Sequence, residues 1–153
     1  MADIDSLIQQ LETQGKTMFW QGGASQASIE HLESLLGSLL PASFKRFLAK
    51  YGGGGFDDED SLISGIEDDN PLLEHKGTVY GDTLRCREHY SVPEHLFVIY
   101  WGDDDVVWCL DKRQCSGNEC PVVSFDVFSK TTKPLAATFD DFLAEYLTLR
   151  MSS

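Results

Sequence analysis

Basic residues are scarce in this chain of 153 residues: 12 Lys and Arg stand against 25 Asp and Glu, and the formal net charge is −13. A charge of this sign repels nucleic acid and anionic membrane surfaces and attracts basic partners. No apolar run approaches the roughly 20 residues that cross a bilayer. The acidic start, Met1–Asp5, lacks the basic and apolar regions of a signal peptide. We therefore expect a cytoplasmic protein that binds neither nucleic acid nor membranes.

Cysteine pairs of the Cys-x-x-Cys type are missing as well. The four cysteines, Cys86, Cys109, Cys115 and Cys120, have spacings that match no common zinc motif. Cysteines in a chain without a signal peptide are typical of reduced thiols rather than of a disulfide framework. We therefore expect small buried or half-exposed thiols and no structural metal.

A catalytic motif is also lacking, because the four histidines are scattered and adjoin no glycine-rich, serine-centred or cysteine-centred motif. Cys86 and His89 are compatible with a dyad on one helix face, although an unreactive, packed thiol is the favoured interpretation. The Gly52–Gly55 run is not followed by the Lys-Ser/Thr of a phosphate loop, and no acidic run has the alternation of an EF-hand loop. The sequence predicts no enzyme and no cofactor.

The chain does contain the pattern of a single α+β domain over residues 1–153. Apolar residues with helical spacing predict helices at 3–13, 25–37, 41–51 and 138–147. Runs of β-branched and aromatic residues predict strands at 61–66, 96–101, 106–110 and 121–125. The stretch 78–90 stays ambiguous, because its apolar residues suit a helix face but Gly81 weakens that assignment.

The most informative stretch is Leu40–Tyr51 with the glycines that follow it. Pro41 suits the first turn of a helix, where a missing N–H costs nothing. Phe44, Phe47 and Leu48 recur at helical spacing and should form one buried apolar face. Gly52 then suits the position after the helix end, where a left-handed conformation is easiest without a Cβ.

As a string, Leu-Pro, Phe-Lys-x-Phe-Leu-x-x-Tyr and Gly-Gly resembles the signature of the Smi/Knr-type branch of the SUKH superfamily. Trp108–Asp111, Gly117–Val123 and Thr138–Leu143 follow in the order seen in that superfamily, so the resemblance covers about residues 19–147. The resemblance implies N-terminal helices packed on a mixed or antiparallel sheet of about 4–6 strands, with a C-terminal helix. It also implies a bacterial immunity protein that binds and neutralises a toxin, whereas eukaryotic relatives act as regulatory or scaffold proteins.

The net negative charge of the chain comes almost entirely from two segments. Residues 53–75 carry eight Asp and Glu and no Lys or Arg, and residues 101–126 carry six Asp and Glu with one Lys and one Arg. Such runs are usually a solvated surface. They can also steer a basic partner, such as the phosphate-binding cleft of a nuclease toxin, into contact.

We predict that the toxin is bound by acids of these two segments together with one tryptophan. The predicted residues are Asp57, Asp58, Glu59, Asp60, Glu67, Asp68, Asp69, Trp101, Asp103, Asp104 and Asp105. Trp108 is a second candidate anchor, although its place in the strand also suits ordinary core packing. The alternatives are a regulatory or scaffold module that binds host proteins and, third, an enzyme acting on a cationic small molecule.

Overall fold

The computed structural model describes residues 3–57, 62–102 and 106–149. Within these ranges the helices are α1 (Ile4–Thr13), α2 (Gln26–Leu36), α3 (Ala42–Lys50), α4 (Val79–Tyr90) and α5 (Phe139–Thr148). The strands are β1 (Met18–Trp20), β2 (Gly54–Phe56), β3 (Leu96–Trp101), β4 (Val106–Asp111), β5 (Val122–Asp126) and β6 (Thr132–Ala136). A short 3₁₀ turn covers Glu67–Asp69.

All pairings between the named strands are antiparallel. β3, β4, β5 and β6 form a four-stranded meander, and β1 pairs with β2. Ile63 joins the two groups, because it makes antiparallel bridges to Gly54 of β2 and to Tyr100 of β3. The Ile63 N–H donates to Gly54 O over 2.8 Å, and Gly54 N–H donates to Ile63 O over 3.0 Å. These elements confirm the predicted α+β fold with a C-terminal helix.

The structure corrects one predicted strand, decides the ambiguous stretch and adds three strands. The strand predicted at 61–66 is reduced, in its described part, to isolated bridges at Ile63 and Gly65. The ambiguous stretch is helix α4, and the Thr78 side chain caps it by accepting the Gly81 N–H over 3.1 Å. Strands β1, β2 and β6 were not predicted. β1 and β2 have only three residues each, and β6 contains Pro134, a residue that argues against a strand.

The four-stranded meander has an apolar core on each face. Side chains alternate along β4, so Leu110 joins the larger core with α1, α2, α3 and α5, whereas Val107 and Cys109 join the core beneath α4. In α3, Phe44 and Leu48 are fully buried and Phe47 is nearly so. Their burial, predicted from the sequence, is confirmed, and each contributes roughly 1.5–3 kcal/mol of transfer free energy.

The glycine run after α3 is more than the end of a helix. Gly52 and Gly54 have φ values of +75° and +138°, which side chains other than glycine adopt only with strain. A Cβ on Gly52 would overlap the carbonyl oxygen of Gly22, and one on Gly54 would overlap that of Phe19. These glycines therefore allow β2 to lie directly against the chain around β1.

The structure contradicts the prediction that all four cysteines are reduced thiols. Cys115 and Cys120 form a disulfide across a tight turn that brings their Cα atoms within 3.9 Å of each other. Inside that turn, Ser116 and Glu119 form a β-bridge, and this local pairing is what sequence spacing alone did not reveal. Cys86 and Cys109 are free and buried, as expected.

Candidate functional site

The acidic runs 57–60 and 103–105 follow, in the sequence, two strands that end at the same end of the sheet. β2 and β3 both bridge in the antiparallel sense to Ile63, so they run in the same direction and their C-terminal ends lie together. Asp57 follows β2, is exposed, and is fixed by its N–H to Thr17 O over 3.0 Å. The predicted residues Asp58, Glu59, Asp60, Asp103, Asp104 and Asp105 lie outside the described residues.

Three of the predicted acids lie elsewhere. Glu67, Asp68 and Asp69 follow the segment through Ile63, which runs opposite to β2 and β3, so they lie at its other end. The Asp69 carboxylate accepts the Ser25 N–H over 2.8 Å, at the start of α2. This hydrogen bond lowers the pKa of Asp69 below its usual value. Glu67 lies 3.2 Å from the His75 ring, so these acids do not form one surface with Asp57.

Trp101 lies on the α4 side of the sheet and is half-buried against the core there. Its ring meets the Tyr90 ring edge to face, with the centroids 6.2 Å apart. The Lys76 ammonium lies 5.4 Å from the Trp101 ring centroid, within the range of a cation–π interaction. A basic side chain of the protein itself thus already occupies the neighbourhood of this predicted anchor.

Trp108 lies on the opposite face and is also half-buried. Its ring stacks on Tyr100 at 4.4 Å and meets Phe142 of α5 edge to face at 5.5 Å. One depression of about 140 Å³ lies between Trp108 and the C-terminal half of α5 and is lined by Leu135 and Leu149. Another, of about 310 Å³, extends over β5 and β6. Trp108 therefore combines core packing with access to solvent on two sides.

A wider groove of about 660 Å³ lies along α1, α3 and α5. Four of its charged groups form ion pairs: Asp5 lies 2.6 Å from Lys50, and Arg46 lies 2.7 Å from Asp140. Hydrogen bonds from Lys50 and Tyr51 hold the pKa of Asp5 below its usual value. These contacts fix α1 and α5 to α3, and they give the groove a structural role.

The thiols do not form a reactive centre. Cys86 is fully buried, and burial raises the pKa of its thiol to about 12, so it stays protonated and inert near neutral pH. His89 is exposed. Burial likewise raises the pKa of the Cys109 thiol. Among residues 3–57, 62–102 and 106–149, no cluster of His, Cys, Asp and Glu is arranged to hold a metal ion.

Sequence reasoning missed three exposed apolar side chains near Trp108. Phe128, Leu135 and Leu149 are 77%, 38% and 66% exposed. A usable signal was Asp126, two residues before Phe128, because an Asp at a turn start often fixes the residues after it. No periodicity marks the other two, since their exposure depends on how α5 and β6 come together.

The chain matches a known protein-family model. The family model SUKH_5, described as SMI1-KNR4 cell-wall, matches residues 4–148. The match extends from the start of α1 to the end of α5 and so includes the acidic segments and Trp108. No helix in the described part of the chain has the length and apolar character needed to cross a membrane.

Proposed function

The chain belongs to the SUKH family described as SMI1-KNR4, and from this premise we propose that it is a non-enzymatic immunity protein. It would neutralise a toxin by binding a basic domain of that toxin directly. Proteins that this sequence resembles are largely bacterial immunity proteins, and such proteins work through surfaces rather than through catalytic groups.

The observation that supports the proposal is the position of the two strand ends from which the acidic runs follow in the sequence. β2 and β3 end side by side, and the sequence continues directly from these two strand ends into seven acids, at 57–60 and 103–105. Charges grouped in this way raise the rate of encounter with an oppositely charged partner and lose that effect as salt screens them. A nuclease domain, whose cleft binds phosphates, is a suitable basic target.

The experiment is a binding titration against the toxin domain encoded beside the gene. We expect association at submicromolar concentration, with a rate that falls as salt rises. The triple variant D57N/D58N/D60N should associate more slowly at low salt, whereas the matched triple E12Q/E30Q/E88Q, which removes the same charge from exposed helix positions, should not.

Two results would count against the proposal in different ways. An unchanged association rate for D57N/D58N/D60N at low salt would reject steering by the first acidic segment. Failure of the wild-type protein to bind at micromolar concentration would reject the immunity role for that pair. A gene neighbourhood without a toxin would then favour the regulatory or scaffold alternative.

A further inference from the structure

The hairpin between β5 and β6 holds an exposed aromatic side chain in a fixed position. The Asp126 carboxylate accepts the N–H groups of Phe128 and Ser129 over 2.8 and 3.1 Å. The Lys130 N–H donates to Asp126 O over 2.8 Å and closes the turn. Phe128, at the centre of this network, is 77% exposed.

The rest of the hairpin is tied to the body of the protein. Val127 is buried in the core beneath α4, and the Lys130 ammonium donates to Tyr90 O at the end of that helix over 2.7 Å. The Ser129 and Thr131 hydroxyls lie 2.7 Å apart. A partner that contacts Phe128 would therefore have little loop disorder to remove, and rigid aromatic side chains are the usual anchors of interfaces.

Phe128 forms one wall of the 310 Å³ depression, and Trp108 also lines it. Asp126, Thr131 and Lys133 contribute polar groups to the same depression. We call these five residues the Trp108–Phe128 surface. A small depression lined by exposed aromatic side chains together with polar groups can accept one large apolar side chain from a partner.

The charge around this surface indicates the sign of the charge that a partner would carry. β5 runs in the same direction as β3, because each is antiparallel to β4. The end of β5, with Asp126, therefore lies at the same end of the sheet as the C-terminal end of β3. The sequence that follows the ends of β2 and β3 is acidic, and the depression itself contains one acid, Asp126, and one base, Lys133.

A partner could dock on β6 in two ways, by adding a strand to the sheet edge or by contacting the face of the sheet with its side chains. β6 pairs only with β5 among the described strands, so its other side is a sheet edge. Pro134, in the middle of β6, has no N–H for a hydrogen-bonded ladder, and proline is a common device that blocks strand addition at an edge. A partner is therefore expected to dock through its side chains on the face of the sheet.

We infer that the Trp108–Phe128 surface docks a segment of the toxin that inserts one large apolar side chain and carries Lys or Arg beside it. This inference rests on the proposed function and adds the contact surface and the chemistry of the segment. The acidic segments bring the partner to the correct end of the sheet, and the two aromatic residues hold it there.

The test compares two exposed phenylalanines by biolayer interferometry with the toxin domain encoded beside the gene. F128A should weaken binding by about tenfold or more, mainly through faster dissociation. F19A removes an exposed phenylalanine, 42% accessible, from β1 and should leave binding unchanged. K133A should associate at least as fast as wild type, because it removes a positive charge that opposes a basic partner.

The outcomes separate the surface from the function. If wild type binds and F128A dissociates as slowly as F19A, the inferred surface is wrong and the immunity proposal stands. If K133A associates more slowly than wild type, the basic character assigned to the docked segment is wrong. If wild type does not bind at all, the proposed function fails and the surface fails with it. Phe128 is chosen over Trp108 because it is exposed. Its replacement by Ala should not unfold the protein, so weaker binding by F128A could not be attributed to misfolding.

Discussion

The Glu119 carboxylate caps the first turn of α3 from a distant part of the chain. One of its oxygens accepts the Ser43 hydroxyl over 2.7 Å, and the other accepts the Ser43 N–H over 3.1 Å. The N-cap residue, Pro41, makes no side-chain capping hydrogen bond, so the cap comes from the turn closed by the Cys115–Cys120 disulfide. A carboxylate at a helix N-terminus also interacts favourably with the helix dipole.

We predict that E119A lowers the free energy of unfolding by about 1 kcal/mol, as loss of a helix cap does. Urea unfolding followed by circular dichroism measures the change, with E74A as a control because Glu74 is exposed in a loop. Equal unfolding midpoints for E119A and E74A would show that the Ser43 contacts do not stabilise α3.

The second prediction concerns the number of free thiols. A thiol-specific reagent should find no reactive thiol in the native protein, because Cys86 and Cys109 are buried. After unfolding without reductant it should find two thiols, and with reductant four, since Cys115 and Cys120 are joined. Four thiols in the unreduced, unfolded protein would contradict the disulfide and restore the expectation from the sequence.

The third prediction follows from the burial of Asp82. Its carboxylate accepts the Ser64 hydroxyl over 2.5 Å and the Gly77 N–H over 3.2 Å, yet burial raises its pKa above the usual value. The folded protein therefore holds this proton more tightly than the unfolded chain. Its contribution to stability is complete below the ordinary aspartate pKa of about 3.9 and is lost as pH rises through the folded pKa.

D82N keeps the shape of the side chain and removes the titration. The free energy of unfolding of wild type minus that of D82N should fall as pH rises from about 4, the usual aspartate range. Urea unfolding at a series of pH values measures this difference. A difference that stays constant or rises with pH would contradict the raised pKa.

The fourth prediction separates the framework from the binding surface. F44A removes a fully buried ring that packs 4.8 Å from Phe139, and it should cost about 3–5 kcal/mol. F128A should leave the thermal midpoint nearly unchanged, since surface substitutions usually act within about 0.5 kcal/mol. A melting curve for each variant tests the pair. A midpoint for F44A close to that of wild type would contradict the assigned core.

Helix ends could be predicted because their signals are local. Ser25 and Thr138, the first residues of two predicted helices, cap α2 and α5 with their side chains, and Gly37, at the predicted end, closes α2 in a left-handed conformation. Strand β2 could not be predicted from Gly54–Phe56, because glycine disfavours strands and is needed here only for contact with the chain around β1. The disulfide likewise depends on a turn geometry that spacing does not specify.

The candidate site was predictable in part, because only some of its features have local signals in the sequence. The sequence located the acidic runs, but only the pairing through Ile63 shows that Asp57 and Glu67 lie at opposite ends of a strand pair. Alternation within β4 indicated that Trp108 faces a core, whereas its solvent access depends on how far α5 extends across the sheet. Phe128 was missed because an exposed aromatic in a turn carries no periodic signal.

Inhibition of the purified toxin domain by measured amounts of this protein tests the central claim most directly. A non-enzymatic immunity protein should reduce toxin activity in proportion to the amount added, until activity is abolished at a fixed molar ratio that does not change with incubation time. Two results would contradict the account. The first is full toxin activity in the presence of a molar excess of this protein. The second is complete loss of toxin activity, given enough time, with far less than one molecule of this protein per toxin molecule.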